Sequence, residues 1–188
     1  MNLPNAITLG RLALTVACVA LLESSGAPPR DGAVPLWIAF WVFIVAAATD
    51  FLDGWLARRS GQVTAFGRVA DPFVDKVLVC GVLIALLRFP SAVELLATWM
   101  VALIVAREFL VTAVRGLAES QGVPFPADRL GKVKMVVQAC TAAALMTVAG
   151  GCGFWRPAAE IGIWLTLALT LWSGANYLWK ARHLLRAS

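Results

Sequence analysis

The stretch Asp50-Phe-Leu-Asp53-Gly54-Trp-Leu-Ala57-Arg58-Arg-Ser-Gly-Gln-Val-Thr64-Ala-Phe-Gly67-Arg-Val-Ala-Asp71-Pro-Phe-Val-Asp75 sets four carboxylates in a fixed frame between two long apolar runs. A carboxylate at mid-bilayer depth costs roughly 2.5–3.5 kcal/mol on insertion scales, so four together require a compensating partner. Divalent metal is the simplest one. Read as helices, the two halves of the frame have the right periodicity. Asp50, Asp53, Gly54 and Ala57 fall within a sector of about 100°, and Asp71 and Asp75 stand one turn apart on a common face. Two neighbouring helices with these faces would gather the four carboxylates into one pocket. The small residues Gly54, Ala57 and Gly67 would let a backbone or a flat ligand approach closely.

Outward from the frame, apolar runs recur almost end to end. The chain has 188 residues, 60% of them hydrophobic and 14% charged, with a mean hydropathy of +0.79. Such composition excludes an ordinary soluble domain. The expectation is an all-α polytopic membrane protein, a single domain over residues 1–188. Six transmembrane helices are read at Ile7–Leu22, Val34–Arg58, Asp71–Leu87, Val93–Arg115, Val133–Ala149 and Ile161–Trp179. Residues before Ile7 read either as an interfacial helix or as part of the first span. Pro72 would fit the first turn of the third span. The last forty residues would add one span and a basic tail.

Basic residues orient the bundle. With the N-terminus inside, thirteen of the sixteen Lys and Arg face the cytoplasm and only Arg30, Arg88 and Arg156 face out. This predicts an N-in, C-in topology, a multi-pass protein of the cell inner (cytoplasmic) membrane with the aspartates at the cytoplasmic side. Trp37, Trp155, Trp55 and Trp179 read as interfacial anchors, and Trp99, Trp164 and Trp172 as packing or lipid-facing residues. The four cysteines have no metal or redox spacing and read as small apolar filler. No nucleic-acid partner is expected.

Carboxylate oxygens suit Mg2+ or Mn2+, whereas zinc would want His or Cys. Two such ions roughly 3.5–4 Å apart form a clamp suited to displacement at phosphorus. The only histidine, His183, lies in the tail, and no Ser-His, Cys-His or Lys nucleophile accompanies the frame. Direct attack by a substrate hydroxyl therefore fits better than a covalent intermediate, with the last carboxylate as the candidate base. An EF-hand would need alternating acidic residues and a terminal Glu. A non-enzymatic cation carrier could use intramembrane carboxylates, but would not require the accompanying Gly, Ala and Arg positions.

The eight specified positions of Asp50–Asp75 resemble the full signature of the CDP-alcohol phosphatidyltransferases. That resemblance implies a six-span membrane enzyme, a homodimer, that moves a phosphatidyl group from CDP-diacylglycerol to an alcohol. It implies two metal ions (Mg2+ or Mn2+) on Asp50, Asp53, Asp71 and Asp75, with Asp75 also the catalytic base. It further implies that Gly54, Ala57 and Gly67 line the nucleotide pocket and that Arg58 and Thr64 contact the CDP-lipid. The opening Asn2-Leu-Pro-Asn5-Ala-Ile-Thr8 is similar to the family's, where Asn5 and Thr8 would approach the CDP moiety.

The acceptor must be read elsewhere. Arg107 lies about 12 Å inside the fourth expected span, too deep for a topological flank. It reads either as half of an ion pair, with Glu108 or an aspartate, or as a phosphate-binding group. Arg115, Lys132 and Lys134 bracket one cytoplasmic loop and could converge on the same anion. Over most of the chain the wording resembles the bacterial phosphatidylglycerophosphate synthases of that family, whose acceptor is sn-glycerol 3-phosphate. Met135 departs from it, standing where that branch usually has Thr. Inositol phosphate, phosphatidylglycerol and serine remain alternative acceptors.

Overall fold

The computed structural model describes residues 3–25, 32–60, 65–121 and 129–186. Among them every regular element is helical: α1 Leu3–Glu23, α2 Val34–Ser60, α3 Ala65–Leu86, a single turn α4 Pro90–Val93, α5 Thr98–Ser120, α6 Arg129–Ala149 and α7 Arg156–Arg186. A 3-10 turn at Gly153–Trp155 leads into α7. The six long helices correspond one to one with the six apolar runs. At 1.5 Å per residue the 27 residues of α2 and the 31 of α7 rise about 40 and 46 Å, more than a hydrocarbon core of about 30 Å.

Three boundaries differ from expectation. α1 begins at Leu3 without a break before Ile7, so the opening residues continue the first helix. α3 begins at Ala65, six residues before Asp71, which makes Pro72 its eighth residue rather than a first-turn proline. Tertiary context here overrides the usual interior penalty of proline. The fourth run does not begin at Val93: Pro90–Val93 is a separate turn and α5 starts at Thr98. The cause is local, because Phe89 precedes a proline and is extended (φ −89°, ψ 125°), which breaks the helix on one side and starts α4 on the other.

The helices alternate in direction. Gly32 donates its amide to Ala149 at 2.8 Å, Glu23 pairs with Arg88, and Arg156 reaches Glu94 at 2.7 Å. These contacts gather the ends of α1, α3 and α6 and the starts of α2, α5 and α7 at one end of the bundle. The start of α1 and the end of α7 therefore lie toward the other. Gly32 (φ +78°) and Gly151 (φ +84°) take left-handed turns at this first end that other residues rarely adopt.

α1 packs against both α2 and α3, and α6 runs against α2, α3 and α7. The apolar core holds Leu22, Leu36, Phe43, Leu83, Leu86, Phe89, Leu96, Ile104, Leu145, Met146 and Ile163, all essentially inaccessible. Small residues bring the helices close, as in membrane bundles. A Cβ on Gly162 would stand 2.7 Å from Thr141 Oγ1, and one on Gly150 2.6 Å from the Trp37 ring.

The outside is as apolar as the inside. Val16, Trp41, Val45, Ile84, Trp99, Phe109, Val136, Ile161, Trp164, Leu171 and Trp172 are exposed, which suits lipid and not water. Trp99, Trp164 and Trp172 are all exposed, so they do not pack inside the bundle. Among the described residues, Gly131–Ala149 and Gly153–Lys180 are long and apolar enough to cross a membrane, and Val34–Thr49 and Lys76–Leu86 are shorter apolar stretches.

Candidate active site

The aspartate frame falls on two helices. Asp50, Asp53, Gly54, Ala57 and Arg58 lie on the last turns of α2, and Gly67, Asp71 and Asp75 on the first half of α3. Both halves are helical, as the spacing requires, so Asp50 and Asp53 are separated by three residues and Asp71 and Asp75 by four along their helices. Asn5 and Thr8 lie on the first turns of α1, which packs against both. The side chains of all these positions, and Thr64 entirely, lie outside the described residues. The donor set itself fits the expected ions: four carboxylates and no nitrogen or sulfur match the oxygen preference of Mg2+ and Mn2+.

Arg11 is a residue that the sequence reading counted only as a topological charge. It is 3% exposed on α1, one turn beyond Thr8, and its carbonyl accepts a bond from Thr15 Oγ1 at 2.9 Å. A buried guanidinium on the helix that packs on both aspartate-bearing helices is electrostatically complementary to them. Its position one turn after Thr8 was the available signal.

Beside the frame, on α5, α6 and α7, the basic cluster is drawn together. Arg107 (8% exposed) and Lys134 (4%) are buried around one carboxylate, that of Glu108 (5%). Arg107 Nη1 lies 3.2 Å from Glu108 Oε1, and Lys134 Nζ pairs with the same oxygen. Lys134 also donates to Gln138 Oε1, one turn along α6, at 2.9 Å. The ion-pair alternative for Arg107 is thus realised, yet it leaves the cluster with more positive than negative charge.

α7 completes this network, contrary to the expectation that it would add only a span and a tail. Arg107 Nη2 donates to Ser173 Oγ at 2.7 Å. Arg115 Nη2 donates to Tyr177 Oη at 3.1 Å, and the Arg107 guanidinium sits 5.8 Å from the centre of the same ring. Gly174 leaves room for this: a Cβ there would come within 3.3 Å of Arg107 Cγ. Arg107 Nε and Arg115 Nε are buried with no hydrogen-bond acceptor among the described residues. Lys132 is exposed; two residues from Lys134, it faces another side of α6.

Glu108, Gln138, Ser173 and Tyr177 were not among the expected site residues. The signal for α7 was present: Thr166, Thr170, Ser173 and Tyr177 recur at intervals of four, three and four, a single hydroxyl-bearing stripe on a mostly apolar stretch of the helix. All four are buried. Toward the frame, Lys76, next to Asp75 in sequence, donates to Thr112 Oγ1 across α3 and α5. Behind that bond an apolar cavity of about 230 Å³ runs between the two helices, lined by Phe73, Val77, Cys80, Ile84 and Phe109 among others.

Comparison with known proteins places these helices in context. The family model for CDP-alcohol phosphatidyltransferase matches residues 1–172. A Bacillus subtilis (strain 168) protein named CDP-diacylglycerol--glycerol-3-phosphate 3-phosphatidyltransferase is 34% identical over 196 residues, covering 100% of this chain and 98% of its own. A Rickettsia felis protein of the same name is 34% identical, over 94% of this chain and 93% of its own. A Streptomyces coelicolor protein named cardiolipin synthase (CMP-forming) is 29% identical over 100% of this chain and 86% of its own.

Proposed function

Because the chain belongs to the CDP-alcohol phosphatidyltransferase family, we propose that it transfers the phosphatidyl group of CDP-diacylglycerol to sn-glycerol 3-phosphate, releasing CMP and forming phosphatidylglycerophosphate. The observation that carries the acceptor is one connected cluster: Arg107 and Lys134 pair with the Glu108 carboxylate, and Arg115 joins through Tyr177, whose ring lies near Arg107. Three cations and one carboxylate in this network leave two positive charges, which match a phosphate monoester of about −1.5 to −2 near neutral pH. Phosphatidylglycerol, a phosphodiester with one negative charge, and serine, with no phosphate, would leave that charge uncompensated. Two buried guanidinium N–H groups without acceptors among the described residues add to the argument, since such donors are costly until an anion meets them.

The reaction follows from the residues. Asn5, Thr8, Gly54, Ala57, Arg58, Thr64 and Gly67 hold the CDP-lipid, and the arginines and Lys134 hold the acceptor phosphate, with Lys132 at the rim. Asp75 takes the proton of the acceptor 1-hydroxyl, whose oxygen forms a bond to the lipid-side phosphorus as that phosphorus loses its bond to the CMP oxygen. Asp50, Asp53, Asp71 and Asp75 would hold two divalent ions, Mg2+ or Mn2+, which when bound neutralise the diphosphate and its leaving group. Holding both reactants at fixed places turns a bimolecular step into an effectively unimolecular one.

The unit sits in the cytoplasmic membrane with six spans, both termini and the active site inside, and works as a homodimer. The uneven basic residues and the common end of the two termini support this orientation. Transfer of radiolabelled glycerol 3-phosphate by purified protein, with and without Mg2+, tests the reading. Activity that survives chelation, or full activity in Asp75→Asn, would remove the mechanism. CMP release with phosphatidylglycerol but not with glycerol 3-phosphate would move the chain to the cardiolipin reaction, and no CMP release with any acceptor would favour a carrier.

A further inference from the structure

The hydroxyl stripe of α7 lies against both arginines proposed for the acceptor phosphate, and no other element supplies them with neutral partners among the described residues. Ser173 takes Arg107 Nη2 at 2.7 Å, and Tyr177 takes Arg115 Nη2 at 3.1 Å while its ring lies 5.8 Å from the Arg107 guanidinium. Each contact leaves an Nε of the same guanidinium buried with no acceptor among the described residues. A guanidinium offers its donors in a rigid planar fork. Fixing one edge on a hydroxyl therefore fixes the direction in which the rest of the fork points.

We propose that Ser173 and Tyr177 are positioning residues: they hold Arg107 and Arg115 oriented for one phosphate monoester, and so set acceptor affinity from a helix that carries no charge at the site. The inference rests on the glycerol 3-phosphate reading and extends it to residues outside the signature. Its physical basis is preorganisation. Two long side chains already held by hydroxyls lose little rotamer freedom when the phosphate arrives. Hydroxyl partners suit this task better than carboxylates, because they hold the guanidinium without cancelling the charge that the phosphate needs. Gly174 belongs to the same device, since any side chain there would press on the stem of Arg107.

The test is steady-state kinetics on the full-length enzyme in detergent, with both substrates varied. Tyr177→Phe keeps the ring and removes only the hydroxyl. It should raise KM for glycerol 3-phosphate by about tenfold, the usual scale for losing one hydrogen bond to a charged group. The turnover number and KM for CDP-diacylglycerol should stay within about twofold of wild type, because the reacting atoms are untouched. Ser173→Ala should behave alike, and Ser173→Thr, which restores a hydroxyl, should recover most of the affinity. A second readout uses the fact that Tyr177 is the only tyrosine. Protein labelled with 13C-tyrosine gives one ring signal, which should shift saturably with glycerol 3-phosphate and not with glycerol.

Unchanged KM in both Tyr177→Phe and Ser173→Ala would overturn the proposal. So would a uniform fall in turnover that Ser173→Thr does not recover, which marks a packing role. A ring signal indifferent to glycerol 3-phosphate in active enzyme would overturn it as well. If wild-type protein itself fails to use glycerol 3-phosphate, the acceptor reading is what fails, and the two failures are told apart by that control.

Discussion

At the end of the bundle where α1, α3 and α6 finish, Leu22, Leu36, Leu86, Phe89, Leu96 and Ala149 close on one another with almost no accessible surface. Toward the opposite end, Arg11, Arg107, Glu108, Lys134, Gln138, Ser173 and Tyr177 are buried just as deeply. The first end is tied by exposed ion pairs at its rim, Glu23 with Arg88 and Glu94 with Arg156. The second places its ions inside. A fold that needed only stability would not bury four charged groups in a membrane bundle, where each costs several kcal/mol unless matched. The difference separates an end that holds the helices together from an end that carries buried charge, where the proposed chemistry would lie.

The sharpest way to break that division is to neutralise the buried carboxylate. Glu108→Gln leaves Lys134 and Arg107 facing each other without a counter-charge, and removing one partner of a buried pair typically costs about 3–5 kcal/mol. The expected result is a large fall in thermal midpoint in detergent together with loss of transfer activity. Unchanged stability would mean that Glu108 is solvated and the charged end is not a dry site. By contrast, Phe43→Ala, in the apolar core at 1% exposure, removes a ring that fills its space. The loss is about 3–5 kcal/mol in soluble cores, and the cavity contribution remains when lipid replaces water as the surroundings. Here the midpoint should fall while KM for glycerol 3-phosphate holds.

How far the sequence carried the argument differs between the two ends. The six long helices were legible because unbroken apolar runs have few other solutions in a bilayer. The start of α5 was not, since Leu95, Leu96 and Ala97 look like span and only the extended Phe89 before Pro90 marks the break. Pro72 was misread for a related reason: a proline usually starts a helix, whereas here α3 is already seven residues long when it arrives. At the charged end the ionic residues announced themselves, and Arg107, Arg115 and Lys134 do share one network. Ser173 and Tyr177 did not, because hydroxyls and a lone tyrosine in an apolar helix pass for filler until their three- and four-residue spacing is counted. Arg11 was hidden by its usefulness as a positive-inside marker. The aspartates, fully legible as a motif, are the part of the site for which spacing on α2 and α3 carries the argument.

A closer contrast comes from two glycines of α7 that meet side chains on α6 and α5. Gly162 meets Thr141 toward the middle of the bundle, and Gly174 meets Arg107 toward the charged end. Gly162→Ala should force α6 and α7 apart, because a Cβ would stand 2.7 Å from Thr141 Oγ1 on a short, stiff side chain. A stability loss of about 1–3 kcal/mol, the usual range for overpacking, is expected, with little selective effect on the acceptor. Gly174→Ala meets the flexible stem of Arg107 at 3.3 Å, which can yield by a few tenths of an ångström. It should leave the melting midpoint nearly unchanged and raise KM for glycerol 3-phosphate a few-fold, by turning the guanidinium.

The smallest effect belongs to the rim. Arg88 and Glu23 are both substantially exposed, with side chains 32% and 52% accessible, as are Arg156 and Glu94 at 46% and 59%. Pairs of this kind contribute about 0–1 kcal/mol and weaken with salt. Arg88→Ala should therefore shift the midpoint by a degree or two at most, and less still at high ionic strength. The same chemical event, loss of one cation from a carboxylate, is then nearly silent at one end of the bundle and disabling at the other. Lys134→Ala would lose the partner of a buried Glu108, and the comparison of its midpoint with that of Arg88→Ala measures the difference directly. Equal shifts would show that burial does not distinguish the ends, and the proposal that places chemistry at the charged one would lose its electrostatic ground.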